Sequence, residues 1–276
     1  MPGVLVACAA SGLLGIFVKP IAFFSFLFAL LSGVPAVWAQ DVVIFTEEYP
    51  PFNFTKENGE IDGISTRLVQ RLMGETGLSY EIKTVSWSHA MNSAERLDNA
   101  LIYSVVYSEE RAAQYEWLVP LSVTQLFLYG RKDLPLPIKR EDFGAGKYSA
   151  VCPLKSFQCT MLETLGFQRD NIHRISFVDS VEQYKMVATG KADFFLTEPM
   201  TNAYFFDYGD LPYSKDTFKR VLSVGTKMQA FLAAGKQMRP ELKQKIWQTF
   251  ERMIAGGSFT PITSEMTEQS LRALLK

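Results

Sequence analysis

Arg111 closes a segment that combines an apolar run with a hydroxyl-rich turn: Ala100-Leu101-Ile102-Tyr103, then Ser104-Val105-Val106-Tyr107-Ser108-Glu109-Glu110-Arg111. The apolar run predicts a buried strand, and the residues behind it a turn into a short helix with Ser108 as N-cap. Backbone N–H groups, hydroxyls and a guanidinium would then meet at one strand end. A fixed Arg fork beside a helix N-terminus suits a carboxylate, which it holds by two parallel charge-assisted hydrogen bonds. The competing reading is a solvated Arg paired with Glu109 or Glu110. On these residues alone the solvated reading is favoured, because surface Arg is common and binding sites are few.

The preceding elements decide what else reaches that strand end. Asp41-Val42-Val43-Ile44-Phe45 predicts a first buried strand, followed by Thr46-Glu47-Glu48-Tyr49-Pro50-Pro51-Phe52, a rigid loop whose prolines favour an extended path. A helix is expected from Asp62, with Ile64, Leu68 and Leu72 as its apolar stripe and Gly77 as its stop. Ser79 to Thr84 alternates like a strand, Trp87 heads a helix through Arg96, and Asp98 leads into the strand ending at Ser104. This β-α-β-α-β succession implies a mostly parallel sheet covered by helices, with ligands outside the carboxyl ends of the strands. Tyr49, Phe52, Trp87, Ser104 and Arg111 all fall at those ends. Trp87, Tyr103 and Tyr107 read equally as core, Trp117 as packing under a hinge, and Met186 and Phe194 as core. Glu47 and Glu48 read as solvated, with one of them able to reach a ligand amine. Lys155 reads as an exposed loop-tip residue.

The composition is that of an ordinary globular chain: 276 residues, 47% hydrophobic, 21% charged, net charge −1. No basic excess suggests nucleic acid. Met1 to Ala39 stands apart, with Lys19 as its only charge, an apolar run from Ile21 to Leu31, a break at Ser32-Gly33-Val34-Pro35 and small residues near Ala39. It predicts a secretory signal cut before Gln40; the alternative, a permanent anchor, needs a longer span. With no Cys at the cleavage site, no lipid anchor is expected. Of three cysteines, Cys8 lies in the leader, and Cys152 and Cys159 remain. In an exported chain such a close pair is expected to form a disulfide closing a small loop. Zinc is the rival, but only His89 and His173 exist and neither sits at ligand spacing, so no metal is expected.

The second half repeats the pattern. Leu126 to Tyr129 predicts a strand, and the Pro-rich stretch from Leu134 to Ile138 a boundary. Tyr148 to Cys152 reads as a strand, Pro153 to Gln158 as a loop, Thr160 to Leu165 as a helix ending at Gly166, and Arg174 to Val178 as a strand. Asp179 with Glu182 resembles a capping box for a helix ending at Gly190. Ala192 to Thr197 is a buried strand closed by Glu198-Pro199. Val221 to Lys236 reads as a partly extended return crossing, and a last helix starts after Pro240, turns Leu242, Ile246, Phe250 and Met253 inward, and stops at Gly256-Gly257. The organisation expected is a signal over 1–39, a first lobe from 40–129 plus 227–276, and a second lobe from 130–226.

Taken together, several segments resemble the extracellular solute-binding proteins of ABC uptake systems, polar amino-acid type, family 3. They are Tyr49-Pro50-Pro51-Phe52, Asp62-Gly63, Ser104 to Arg111, Trp117-Leu118-Val119-Pro120, Gly190-Lys191-Ala192-Asp193 with Glu198 five residues on, and the closing helix. The resemblance runs from Val42 to about Met266. It implies an α/β, two-lobed periplasmic-binding-protein fold, each lobe a mostly parallel sheet flanked by helices, joined by two hinge strands. It implies that Arg111 clamps a ligand carboxylate, that Glu198 takes the amino group, that Tyr49 packs on the ligand, and that the loop around Ser156 adds donors. Phe52, Ser104 and Trp87 complete the expected site. Three departures set this chain apart: Val106 replaces a hydroxyl residue, Glu198 is longer than the usual Asp, and Cys152 and Cys159 flank the second-lobe loop. They point to a small anionic or zwitterionic ligand not fixed by the family pattern.

The expected function is periplasmic capture of a small solute, an amino acid or related carboxylate, for a membrane ABC permease. The chain is expected to be a monomer without cofactor, catalysis or nucleic-acid partner. The rivals are a ligand-sensing module acting through a membrane partner, and a dehydratase-like enzyme on the same fold using Glu198 as acid or base.

Overall fold

The computed structural model describes residues 40–176, 181–208 and 211–262. The leader, Asp179 of the expected capping box and the chain beyond Ile262 lie outside these residues. The strands are β1 Val42–Thr46, β2 Phe54–Thr55, β3 Ile61–Asp62, β4 Tyr80–Thr84, β5 Ala100–Val106, β6 Tyr115–Arg131, β7 Ala150–Pro153, β8 Ile172–Ile175, β9 Phe194–Thr197 and β10 Phe218–Gly235. The helices are α1 Ile64–Thr76, α2 Trp87–Arg96, α3 Glu109–Ala112, α4 Arg140–Gly144, α5 Phe157–Leu165, α6 Val181–Ala188, α7 Pro199–Tyr208 and α8 Pro240–Ala255.

Eight strands join in the order β4-β1-β5-β10-β6-β9-β7-β8, while β2 and β3 form a separate hairpin. At one end β4, β1 and β5 run parallel. At the other, β8, β7 and β9 do the same. Between them the antiparallel pair β6 and β10 passes through both lobes. The expected two-lobed α/β fold is the one observed, with β6 and β10 as the hinge strands.

Both hinge strands are longer than the sequence pattern suggests. Pro120 and a polar run at Ser122 to Gln125 interrupt the apolar signal within β6. The ladder absorbs them as register shifts, between Ala230 and Phe231 where Pro120 is paired, and between Ser223 and Lys227 opposite Gln125. A proline without its N–H is tolerated at such an irregularity.

The lobes have different cores. In the first, Val42, Ile44, Leu101, Val119 and Leu232 on the sheet meet Val69, Leu72 and Met73 of α1 and Leu242, Ile246, Phe250 and Met253 of α8. The inward positions of α8 recur at helical spacing, and a buried side chain such as Ile246 stabilises by roughly 1.5–3 kcal/mol. The second lobe adds a network of packed rings to its aliphatic core. Phe143 stacks on Phe167 at 4.2 Å, with Phe194 edge-on to both, and Tyr184 packs on Phe195, Phe205 and Phe218.

Several local expectations change. Tyr49 to Asn53 is a closed turn and not an extended path, because the amides of Phe52 and Asn53 both turn back to the Tyr49 carbonyl, at 3.0 and 3.1 Å. Helix α5 begins at Phe157, inside the expected loop, with Ser156 as its N-cap residue. Helix α7 was not foreseen: its aromatic sequence has no polar stripe, and only the acidic residue before Pro199 marked a helix start.

Candidate functional site

Six of the seven expected contact residues line one cavity between the lobes: Tyr49, Phe52, Trp87, Ser104, Arg111 and Ser156. Glu47 joins them, and the hinge strands add Ser122, Thr124, Leu126, Met228 and Ala230. Val106, Phe157 and Gln158 complete the wall. The cavity has about 30 Å³ of free volume, and a wider groove of about 410 Å³ outside it shares Arg111, Ser156 and Phe157.

The loop carrying Tyr49 and Phe52 is fixed by the start of α1. The Ile64 amide donates to the Pro51 carbonyl and the Ser65 amide to the Phe52 carbonyl, each at 2.9 Å, so the loop satisfies amides left unpaired at a helix start. Gly63 permits this approach: it has φ +123°, and a Cβ there would lie 2.4 Å from the Phe52 carbonyl oxygen. Asn53 connects two parts of the wall. Its Nδ2 donates to the Glu47 carbonyl at 2.6 Å, and its Oδ1 accepts from the Ser104 hydroxyl at 2.6 Å.

Ser104 interrupts the regular ladder of β5. The register shifts where Val105 and Tyr103 face Phe231 and Leu232, and Ser104 takes φ +62°. A left-handed serine inside a strand costs on the order of 1 kcal/mol, and strain of this kind collects at functional sites. Lys155, on the facing lobe, has φ +64°. These two residues are the positive-φ positions other than glycine among the described residues.

Arg111 belongs to α3, where the Ser108 hydroxyl accepts from its backbone N–H at 3.3 Å, as expected of an N-cap. Its side chain is not solvated beside Glu109 or Glu110: the residue is only 7% exposed. Nη1 donates to the Val106 carbonyl at 3.2 Å and Nη2 to the Lys155 carbonyl at 2.9 Å, reaching across to the second lobe. Among the described residues it has no carboxylate partner. Burial lowers its pKa, with Glu47 among the groups opposing that shift. Trp87 donates from Nε1 to the same Lys155 carbonyl at 3.2 Å, and its ring lies 5.8 Å from the guanidinium carbon.

Glu198 stands away from the cavity wall. It is 1% exposed, accepts the Thr201 amide at 3.0 Å on Oε1, and takes the Tyr49 hydroxyl on Oε2. It thus caps α7 and braces Tyr49 across the lobes; burial raises its pKa, and its hydrogen bonds partly offset the rise. The Thr201 hydroxyl adds a second link, donating to the Pro50 carbonyl at 2.6 Å.

Glu47, read from sequence mainly as solvated, is the residue that reading undervalued. Burial pushes its carboxyl up to about 8, with Arg111 acting against the rise and Glu48 adding to it. The available signal was its place directly after β1, at the same sheet edge as Arg111. The wall residues on β6 and β10 gave no signal, because facing directions within the long hinge strands depend on where the ladder shifts. Cys152 and Cys159 are joined, tying β7 to α5 beneath the Ser156 loop. Lys155 extends to Asn92 Oδ1 at 3.1 Å, and His89 is exposed on α2. Tyr103 is core, sharing a hydrogen bond with Thr66 at 2.7 Å, and Tyr107 packs on Trp117 at the surface. Among the described residues no group of His, Cys, Asp and Glu could hold a metal, and no helix is long and apolar enough to cross a membrane.

Relatives agree with this architecture. The L-cystine-binding protein TcyJ of Escherichia coli K12 is 28% identical over 105 residues, a match spanning 37% of this chain and 39% of that protein. A histidine kinase sensor domain with similarity to periplasmic binding proteins superposes with a TM-score of 0.67 at 17% identity, covering 84% of this chain and 94% of the other. The arginine-, lysine-, histidine-binding protein ArtJ of Geobacillus stearothermophilus gives 0.66 at 18% identity, covering 80% and 92%. These structural likenesses establish the fold. The model of the bacterial extracellular solute-binding proteins, family 3, matches residues 42–268, and the chain belongs to that family.

Proposed function

We propose that this chain captures a small solute bearing a carboxylate, of the amino-acid class, in the cleft between its lobes and passes it to a membrane ABC transporter. The observation that carries this reading is Arg111, a buried guanidinium on the cavity wall with no carboxylate partner among the described residues. A guanidinium is seldom buried without an anionic partner, and a solute carboxylate would supply one. The small cavity implies hinge motion. Free volume of about 30 Å³ admits roughly two waters, so a solute enters only as β6 and β10 flex and the lobes part. Secretion through residues 1–39 and work outside the cytoplasm follow from the same reading. The family relationship and the resemblance to TcyJ support an amino-acid ligand.

The test is a thermal-shift screen of the purified chain against amino acids, small carboxylates and oligopeptides. A bound solute at about a hundred times its dissociation constant adds about 2.7 kcal/mol, enough for several degrees. The expected result is a shift with one amino-acid class that Arg111→Ala abolishes. Silence across the panel, or an unchanged shift in the variant, would overturn the assignment. Solute uptake by cells lacking the gene then separates delivery from sensing.

A further inference from the structure

Resting on the reading of the cleft as an amino-acid site, we infer that Glu47, rather than Glu198, binds the cationic group of the solute. Glu47 lies on the cavity wall together with Arg111, and the two do not form an ion pair with one another. Among the described residues its carboxylate accepts no hydrogen bond. Its backbone is held by Asn53, which leaves the side chain positioned and its oxygens uncommitted. Glu198 differs on each point: it lies off the wall, and each of its oxygens already has a donor. Recruiting Glu198 would add a donor to a carboxylate already engaged in the cap of α7 and the hydroxyl contact of Tyr49.

A wall with one guanidinium and one carboxylate that feel one another without forming an ion pair is complementary to a zwitterion and not to a dianion. A solute with a carboxylate alone would leave Glu47 buried beside it as a like charge, which disfavours ionisation of one of the two. The groups facing Glu47 are Arg111 from α3, Glu48 beside it and Tyr49 on the same loop. Burial holds Glu47 largely protonated near neutrality, and an ammonium entering the cavity would draw its proton off. Binding of an amino acid would therefore release a proton, and affinity would weaken by up to about tenfold for each pH unit below 8.

The test compares L-alanine with propionate, L-arginine with its des-amino acid, and L-cystine with dithiodipropionate on purified wild type, Glu47→Gln, Glu198→Gln and Arg111→Ala. Calorimetry in two buffers of different ionisation enthalpy reads the proton on wild type, independently of how any variant folds. The expected result is a preference for an amino acid over its des-amino partner, lost by at least tenfold in Glu47→Gln while des-amino binding is kept, with a proton released on wild type. Loss of the preference in Glu198→Gln with retention in Glu47→Gln would overturn the inference and leave the carboxylate site standing. So would binding without proton release. No response to any probe, or full binding by Arg111→Ala, would instead overturn the function on which the inference rests.

Discussion

Lobe 1 brings Glu47, Tyr49, Trp87, Ser104 and Arg111 to the cleft, whereas lobe 2 brings Ser156, Phe157, Gln158 and the Lys155 carbonyl. Three parallel strands and covering helices underlie both sets, and the cleft residues follow strand ends in both. The charges, however, come from lobe 1 alone. A solute would meet its ionic partners there first, and lobe 2 would then exclude water and add neutral donors.

The strongest way to break this comparison is Arg111→Ala. Removing the guanidinium should weaken carboxylate binding by at least about a hundredfold in calorimetry, and a smaller loss would place the ionic anchor elsewhere. Next is Tyr49→Phe, which takes a donor from buried Glu198 and severs a link between lobes. It should lower stability by about 2 kcal/mol in denaturant unfolding and increase the radius of gyration in solution scattering.

The pH dependence of stability should also divide the carboxylates. Glu47 has a folded pKa raised from 4.5 to about 8, so its contribution is fully present below 4.5 and is lost as pH rises through 8. Glu198 acts in the same direction. Asp62, held far down by hydrogen bonds from Arg67, Lys56 and the Gly63 amide, contributes above its ordinary 3.8 and loses that contribution in acid. The melting temperature of wild type should therefore fall between 4.5 and about 8 on the pH scale more steeply than that of Glu47→Gln. Parallel profiles would mean that Glu47 is solvated.

Effects on the neutral wall should be smaller. Ser156→Ala removes one neutral donor and should weaken binding by only about three- to tenfold. Lys155→Gly relaxes a left-handed residue while loosening the unfolded chain, two opposing changes of comparable size. Its stability should stay within about 0.5 kcal/mol of wild type, and binding should persist because only the Lys155 carbonyl meets Arg111 and Trp87.

Much of this was legible because each cue had a direct physical cause. Trp87 to Arg96 and Pro240 to Ala255 are bounded by the residues that the sequence marks, and Gly77 ends α1 in the left-handed conformation expected of a stop. The order of strands and helices alone places Tyr49, Phe52, Trp87, Ser104 and Arg111 at one sheet edge, where they line the cavity. Long-range pairings were not legible. That Glu198 would be occupied by Tyr49 depends on a contact made across the closed cleft, which no local pattern encodes. Glu47 and Glu48 are adjacent acids of the same type, yet Glu48 turns to Thr55 while Glu47 faces the cavity. Both lie in the loop after β1, where the path of the loop and not strand alternation separates them.

The Lys155 carbonyl holds a position that a solute carboxylate would compete for, taking hydrogen bonds from both Arg111 and Trp87. Lobe 2 therefore acts as a rival as well as a lid. An incoming amide or ester offers Arg111 only another neutral oxygen, no better than the peptide oxygen already there. An anion offers more, because a hydrogen bond to an ionised acceptor is roughly twice as strong. With Arg111 as the carboxylate site, the protein's own backbone would set a threshold for admission, and a solute would have to bring a charge to cross it.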